Sequence, residues 1–371
     1  MTRSITLSVD AMGGDSAPAM TVAGVDLALE MLPGIRVILF GDEAQIEPLV
    51  AGGSSRLRER VEVRHTSHAV ASDEKPSVAL RNGRESSMRL AINAVKNEEA
   101  AGIISAGNTG ALMAMAKFVL KTLPGIDRPA IATFFPTQRS ESVMLDLGAN
   151  VECDADNLVQ FAVMGEVFAR KVLGLKQPTI GILNVGAEDL KGNQAVKGAA
   201  QVLQQTHLPI HFHGFVEGDD IGAGTVDVIV TDGFTGNVAL KTAEGTVKMF
   251  GHFLKEALNS TLGSKLGAIL ARPALNTFKQ KVDPRRYNGA MFLGLNGICV
   301  KSHGGTDAFG FANAIKVAAD LVNNQVNDDI RRDFVNLQAE RDEAGDVVQD
   351  GGNDSPSDSD TSSETREAIN Q

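Results

Sequence analysis

The segment TDGFTGN at residues 231–237 carries the groups best suited to hold an anion and to donate hydrogen bonds to it. It follows an apolar run typical of a buried strand and precedes a long helical pattern that we expect to begin near Asn237. The first turn of a helix has unpaired N–H groups and a partial positive charge, so anions bind there readily. An ordinary strand-to-helix turn with a capped helix is the alternative interpretation. The candidate binding residues of this segment are Asp232, Gly233, Thr235, Gly236 and Asn237.

Further polar, glycine-containing loops follow other apolar runs along the chain. In the loop at 10–15, the carboxylates of Asp10 and Asp15 would repel phosphate. We therefore expect Gly13 and Gly14 to allow a ligand close to the backbone, and the two aspartates either to position that ligand or to hold the loop by hydrogen bonds. The loop at 105–110 offers uncharged donors, and Lys191 adds a cation to the loop at 184–193. His303 could serve acid–base chemistry, bind phosphate or be structural. The candidate substrate-binding residues of these loops are Asp10, Gly13, Gly14, Asp15, Ser105, Asn108, Thr109, Gly110, Asp146, Asn150, His303 and Gly304.

The elements that must position these loops are alternating strands and helices, a pattern that predicts an α/β fold with a mostly parallel sheet. Open α/β sheets bind ligands at the carboxyl ends of their strands, so we expect the loops to converge on one cleft. The sequence has no dinucleotide fingerprint, phosphate loop, nucleophile elbow or zinc-binding HExxH pair. His211 and His213 lack an evident third ligand, so we interpret them as structural and predict neither a metal nor a cofactor.

A basic, amphipathic segment interrupts the acidic chain at about 245–285. Eight Lys or Arg stand against two acidic residues between 248 and 286, with apolar residues at helical spacing. A helical hairpin packed on the core or on a second subunit would explain the pattern. Alternatively, it projects and touches anionic lipid or an acidic carrier protein, since it has few aromatic residues to suit nucleic acid. The candidate contact residues are Leu262, Lys265, Leu266, Ile269, Arg272 and Lys279.

The composition of the 371 residues, 43% hydrophobic and 22% charged, is that of a globular protein. Most of the net charge of −11 lies at the end of the chain, so we predict a catalytic domain over 1–340 and an acidic, disordered tail over 341–371. No signal-peptide pattern or membrane-spanning run is present, and Cys153 and Cys299 are widely separated. We therefore expect a cytoplasmic protein with reduced thiols, Cys299 lying in the core.

Six ordered segments resemble the PlsX family of phosphate acyltransferases of bacterial phospholipid synthesis. The resemblance extends from about residue 9 to the helix after residue 307. The segments are VDAMGGD at 9–15, SAGNTGA at 105–111, LDLGAN at 145–150, NVG at 184–186, TDGFTGN at 231–237 and KSHG at 301–304.

The resemblance implies an enzyme that converts acyl-[acyl carrier protein] and inorganic phosphate to acyl phosphate and free carrier protein. It implies a three-layer α/β/α sandwich similar to isocitrate and isopropylmalate dehydrogenases, and a homodimer. It also implies peripheral attachment to the cytoplasmic membrane and delivery of the acyl phosphate to a downstream acyl-phosphate glycerol-3-phosphate acyltransferase. The resemblance further implies that Lys191 and Asn237 are catalytic. Our hypothesis is that Lys191 neutralises phosphate or the departing thiolate and that Asn237 holds the developing oxyanion.

This chemistry needs no serine or cysteine nucleophile, because phosphate is itself an anionic nucleophile that only has to be positioned beside a stabilised oxyanion. Two rival functions share part of the pattern. A short-chain enzyme acting on acyl-coenzyme A would keep the loops without needing the apolar projection. A non-catalytic adaptor of lipid synthesis would keep the projection without needing the loops.

Overall fold

One sheet of eleven strands organises the computed structural model, which describes residues 5–206 and 210–350. The strands are β1 (Ile5–Asp10), β2 (Ile35–Gly41), β3 (Val61–His65), β4 (Gly102–Ser105), β5 (Ala130–Pro136), β6 (Glu141–Leu145), β7 (Thr179–Leu183), β8 (His211–Val216), β9 (Val228–Val230), β10 (Ala290–Leu293) and β11 (Ile298–Lys301). Their order in the sheet is β3-β2-β1-β4-β11-β10-β5-β6-β9-β7-β8.

Helices connect most of these strands. They are α1 (Ala19–Met31), α2 (Glu43–Gly52), α3 (Ser55–Arg60), α4 (Pro76–Asn82), α5 (Ser87–Lys96), α6 (Thr109–Leu120), α7 (Ala155–Val172), α8 (Gln194–Gln205), α9 (Gly218–Ala223), α10 (Gly233–Asn259), α11 (Leu262–Leu270), α12 (Arg272–Lys281), α13 (Ala308–Asn323) and α14 (Val326–Asp350). A 3₁₀ turn, Pro284–Tyr287, precedes β10.

Seven of the ten strand pairings are parallel, and the three antiparallel ones involve β10 with β11, β10 with β5, and β5 with β6. These reversals in the middle of the sheet make β6 to β10 run opposite to the other six strands. The carboxyl ends of the strands are therefore divided between two opposite edges of the sheet.

Two hydrophobic cores lie on the two faces of this sheet. Ile104 of β4 belongs to the core that contains Phe161 and Phe168 of α7, whereas its neighbour Ile103 belongs to the core that contains Met115 of α6. Successive residues of a strand point to opposite faces, so one short strand contributes to both cores. Helices α1, α7, α8, α13 and α14 cover the first face, and α5, α6 and part of α10 cover the second. The predicted three-layer α/β/α sandwich with a mostly parallel sheet is confirmed.

Helix α10 begins at Gly233, one turn earlier than the sequence pattern suggested, because the Asp232 side chain caps it by accepting from the Thr235 N–H at 2.8 Å. The two glycines of the first turn favour helix poorly, which made the start look later. The basic segment that follows comprises the end of α10, then α11 and α12. Thr261 caps α11, and Pro273 lies in the first turn of α12.

None of the residues of α11 and α12 is buried. Leu262, Leu266 and Ile269 are 86%, 62% and 68% exposed, although each is apolar. We call residues 245–285 the projection. No helix in the described residues combines the length and the apolar character needed to cross a membrane.

Helix α14 continues to Asp350, so residues 341–350 are helical where we expected a disordered tail. Once a helix is under way, each added residue gains a hydrogen bond without a new nucleation cost, which explains its extension into this acidic sequence. The remainder of the predicted tail, 351–371, lies outside the described residues.

Candidate active site

The strands that carry the predicted site residues end at two opposite edges of the sheet. The loops after β6, β7 and β9 lie at one edge, which we call the Asp146 edge, and those after β1, β4 and β11 lie at the other, the Asp10 edge. Strands of five residues separate such edges by about 17 Å. The sequence could not show this division of the strand ends, because the reversed direction of β6 to β10 leaves no mark on the strand sequences.

At the Asp146 edge, the Asp146 carboxylate organises the loop that follows β6. One oxygen accepts from the backbone N–H groups of Ile131, Gly148 and Ala149 at 2.9, 3.2 and 3.0 Å, and the other accepts from the backbone and side-chain N–H of Asn150 at 2.7 and 2.9 Å. Burial raises the pKa of Asp146, although these donors act against it. The Asn150 side chain also donates to the Pro129 carbonyl at 2.8 Å. Both predicted ligand-binding side chains are thus engaged in building the loop.

This loop packs directly against the first turn of α10. A Cβ at Gly236 would overlap the carbonyl oxygen of Asp146, and one at Gly233 would lie 2.6 Å from the carbonyl oxygen of Asn150. Both glycines are therefore needed for packing between loop and helix. Asn237, in the same turn, is exposed and lies against Gly148. Its amide is the uncharged donor that this helix start presents to a ligand.

Lys191 occupies the loop after β7, the strand next to β9. Its ammonium group is half-exposed and pairs with Glu188 at 3.0 Å. Exposed pairs of this kind contribute little free energy, so an anionic ligand could draw the amine away. Because β7 and β9 are adjacent and parallel, the structure brings the Lys191 loop and the Asn237 turn to neighbouring positions. Asn184 holds this loop by donating to the carbonyl oxygens of Gly186 and Lys191 at 3.1 and 3.2 Å.

At the Asp10 edge, a buried cluster joins three strand ends. The Asp10 carboxylate accepts from the hydroxyls of Ser87 and Ser105 at 2.6 and 2.7 Å. The Lys301 ammonium donates to the carbonyl oxygens of Ala106 and Ser302. Burial raises the pKa of Asp10. Burial also lowers the pKa of Lys301 to about 8, although the carboxylates of Asp10 and Asp15 act against the change.

Several predicted ligand contacts at this edge have internal partners. Asn108 caps α6 by accepting from the Ala111 N–H at 3.0 Å and donates to the carbonyl oxygens of Ser72 and Glu74. A Cβ at Gly13 would lie 2.6 Å from the Asp10 carboxylate and 2.6 Å from the Gly107 nitrogen, so this glycine allows the two loops to pack closely. The Asp15 N–H donates to the Gly304 carbonyl oxygen at 3.0 Å, which ties the first loop to the last. Gly14, Thr109 and Gly110 also lie at this edge.

Helix α10 connects the two edges. It starts at the Asp146 edge, and the charges of its Lys241, Glu244 and Lys248 act on the pKa of His303 at the Asp10 edge. Partial desolvation lowers the pKa of His303, and the charges of Lys241, Lys301 and Lys248 lower it further against the opposing effect of Glu244. The His303 imidazole Nδ1 accepts from the Gly305 N–H at 3.1 Å. Because Nδ1 accepts this hydrogen bond, Nε2 is the nitrogen of the ring that can donate one.

Sequence reasoning left Ser87, Asn184, Asn288 and Lys301 out of the candidate site. Ser87 is 77 residues from Asp10 in the chain, so no local pattern could associate them. Asn288 fixes the loop of His303 by accepting its backbone N–H at 2.9 Å. Lys301 did give a signal, because a charged residue that ends a buried apolar strand needs a partner or a function.

The two thiols are poor nucleophiles. Cys153 lies beside the Asp146 loop, where burial and the charges of Asp146 and Asp232 raise its pKa to about 12. Cys299 is buried in β11, which confirms its predicted place in the core, and burial raises the pKa of its thiol as well. Among the described residues, no group of three or more His, Cys, Asp or Glu side chains is arranged to hold a metal.

Comparisons with solved structures place this fold beside acyl-transferring enzymes. A phosphotransacetylase from Streptococcus pyogenes aligns with a TM-score of 0.59 and 16% identity over 86% of this chain and 94% of its own. A branched-chain phosphotransacylase from Enterococcus faecalis aligns with a TM-score of 0.52 and 13% identity over 86% of this chain and 99% of its own. At these identities the likeness is one of fold alone.

Sequence comparisons go further. The family model described as fatty acid synthesis protein matches residues 5–329. The phosphate acyltransferase of Paramagnetospirillum magneticum is 62% identical over 338 residues, 91% of this chain and 96% of that protein. The phosphate acyltransferase of Rhodospirillum centenum is 63% identical over 339 residues, 91% of this chain and 95% of that protein. The chain therefore belongs to the PlsX family of phosphate acyltransferases and is an enzyme of that family.

Proposed function

We propose that this enzyme transfers a fatty acyl group from acyl-[acyl carrier protein] to inorganic phosphate and so supplies acyl phosphate for phospholipid synthesis. The observation that carries the proposal is the start of α10, where an exposed amide, Asn237, follows two tightly packed glycines and neighbours the loop of Lys191. Such a helix start offers N–H donors and partial positive charge to phosphate and to an oxyanion.

The reaction would proceed by direct attack. A phosphate oxygen forms a bond to the thioester carbonyl carbon, and the carbonyl oxygen becomes an oxyanion to which the Asn237 amide donates. Collapse of this intermediate breaks the carbon–sulfur bond, and the carrier thiolate leaves with the bonding electrons. Lys191 would leave Glu188 to neutralise phosphate or the departing thiolate. Positioning and oxyanion stabilisation supply the catalysis.

The projection is our candidate surface for the carrier protein and for the cytoplasmic membrane. Lys265, Arg272 and Lys279 are exposed and would meet an acidic carrier or anionic lipid, while Leu262, Leu266 and Ile269 would enter a lipid surface. Peripheral contact of this kind would bring acyl phosphate to a downstream glycerol-3-phosphate acyltransferase. Flotation with anionic vesicles should recover the protein at low salt, and no flotation would contradict the membrane contact.

We also propose a homodimer. Along α10, Val247, Phe250 and Phe253 are 44%, 58% and 57% exposed, which is costly for a helix that remains in water. A second copy of the chain would cover this surface. Sedimentation at micromolar concentration should give twice the mass of the chain, and a monomer throughout would contradict the proposal.

Isotope-labelled phosphate tests the reaction itself. The purified protein, long-chain acyl-carrier protein and ¹⁸O-phosphate should give acyl phosphate that carries the label, with one carrier thiol freed for each molecule formed. Release of unlabelled free fatty acid, with one carrier thiol freed for each molecule and no acyl phosphate formed, would indicate hydrolysis by water and contradict the proposal. Activity confined to short acyl-coenzyme A would favour the rival short-chain enzyme.

A further inference from the structure

A polar stripe of α10 leads from the start of the helix towards His303. Asn237, Lys241 and Lys248 are spaced by four and seven residues, so their side chains share one face of the helix. This face adjoins the side of α10 that includes the partly buried Leu240, which packs against the core. The start of the stripe therefore borders the contact between α10 and the body of the protein.

The far end of this stripe is a cluster suited to a phosphate ester. The charges of Lys241 and Lys248 act on His303, and the neutral imidazole has its Nε2–H available as a donor because Nδ1 accepts from Gly305. Glu244 engages Lys241 at 2.8 Å, whereas Lys248 has no ion pair among the described residues. An ammonium group next to an uncharged donor is a favourable setting for a singly charged phosphodiester.

We propose that this stripe, Asn237, Lys241 and Lys248 together with His303, binds the phosphopantetheine arm through which carrier protein and coenzyme A hold an acyl thioester. The inference rests on the proposed function, which places the thioester at Asn237. The arm between sulfur and phosphorus is as long as four to five residues of extended chain, about 15 Å. At 1.5 Å per residue, Lys241 and Lys248 lie about 6 Å and about 16 Å along α10 from Asn237. The phosphodiester would thus reach the lysines when the thioester is at Asn237.

Inorganic phosphate is a less suitable occupant of the cluster. To attack the thioester, it must meet the carbonyl carbon beside Asn237 and Lys191 at the Asp146 edge. Lys248 lies eleven residues, about 16 Å, along α10 from Asn237, which is too far for a phosphate bound beside Lys248 to reach the carbonyl carbon. The cluster is accordingly a site for the phosphodiester of the acyl donor, which is remote from the reacting thioester bond. Binding energy from such a remote group can position the substrate.

Two small donors that differ by one phosphate test this assignment. S-octanoyl-4′-phosphopantetheine and S-octanoyl-pantetheine present the same thioester, so the ratio of their kcat/KM values measures recognition of the phosphate group alone. We expect the wild-type protein to prefer the phosphorylated donor about tenfold, as one charge-assisted contact allows. Lys248→Gln should bring the ratio close to one by lowering kcat/KM more for the phosphorylated donor than for S-octanoyl-pantetheine, and Lys248→Arg should keep the wild-type ratio.

Lys255→Gln is the matched control, since it removes the same charge from the same face of α10 two turns farther on, and it should leave the ratio unchanged. Acyl-carrier protein and acyl-coenzyme A both contain the arm, so Lys248→Gln should lower kcat/KM for both. A wild-type ratio of one, an equal loss with the two small donors, or a raised KM for inorganic phosphate would overturn the inference. No turnover of any donor would instead contradict the proposed function, and the arm site with it.

Discussion

Asn237 is the residue on which the proposed chemistry most depends. Removing one donor to an oxyanion typically lowers kcat by about 10²–10³-fold, so Asn237→Ala should lose activity to that extent. Its side chain is exposed, so the thermal midpoint should change little. Asn259→Ala, the same substitution at the other end of α10, serves as the control and should keep full activity. Unchanged turnover in Asn237→Ala would remove this residue from the mechanism.

Lys301 makes the free energy of unfolding vary with pH in the alkaline range. Its pKa falls from an ordinary value of 10.5 to about 8 in the folded protein, so between these values the unfolded chain binds more protons. The free energy of unfolding from this group must therefore rise with pH over that window, by at most about 1.4 kcal/mol per pH unit. Urea unfolding between pH 7.5 and 10 should show a steeper rise for the wild type than for Lys301→Met. Equal slopes would show that this amine titrates in its ordinary range.

At the residue scale, the types of the site residues could be predicted from sequence, but their hydrogen-bond partners could not. Asn108 was expected to donate to a ligand, yet its amide holds carbonyl groups 36 and 34 residues away. Asp146 was expected to bind a ligand, yet both oxygens of its carboxylate accept hydrogen bonds from backbone N–H groups of the protein. A buried polar group takes whichever partner the fold brings to it, and that choice is made by tertiary contacts.

At the scale of elements, the start of α10 is fixed by two glycines whose roles differ from those of glycines farther along. Gly236→Ala should destabilise the protein by several kcal/mol, because its Cβ would overlap the Asp146 carbonyl group and displace the loop. Gly245→Ala lies in open space on the same helix and should instead stabilise it by about 0.5–1 kcal/mol. Denaturant unfolding of both variants checks the pair. Equal effects would mean that the loop does not pack on the helix as described.

The strands could be found from sequence because short apolar runs bounded by glycine loops are a strong local signal. Their directions could not. Buried strands are apolar whether their neighbours run parallel or antiparallel, so β6 to β10 gave no sign that they run opposite to β1. The division of the strand ends between two edges follows from this one fact, and only the three-dimensional structure reveals it.

For the molecule as a whole, the charge of the projection should govern association with an acidic carrier protein. Reversing Lys265, Arg272 and Lys279 to Glu should weaken carrier binding at least tenfold at low salt and flatten its dependence on ionic strength. The same reversal at Lys96, Lys117 and Lys176, which are also exposed but lie outside the projection, is the control. Titration calorimetry at two salt concentrations separates the outcomes. An affinity for the carrier protein that does not change with salt concentration would rule out this surface.

The most direct test of the whole account compares kcat/KM for long-chain acyl-carrier protein with that for acyl-coenzyme A of the same chain, both with inorganic phosphate as acceptor. Both donors offer the same thioester and arm, so a difference in kcat/KM measures the contribution of contacts between the carrier protein and the projection. We predict preferential formation of acyl phosphate from the carrier-protein donor. Turnover of short acyl-coenzyme A alone would contradict the account.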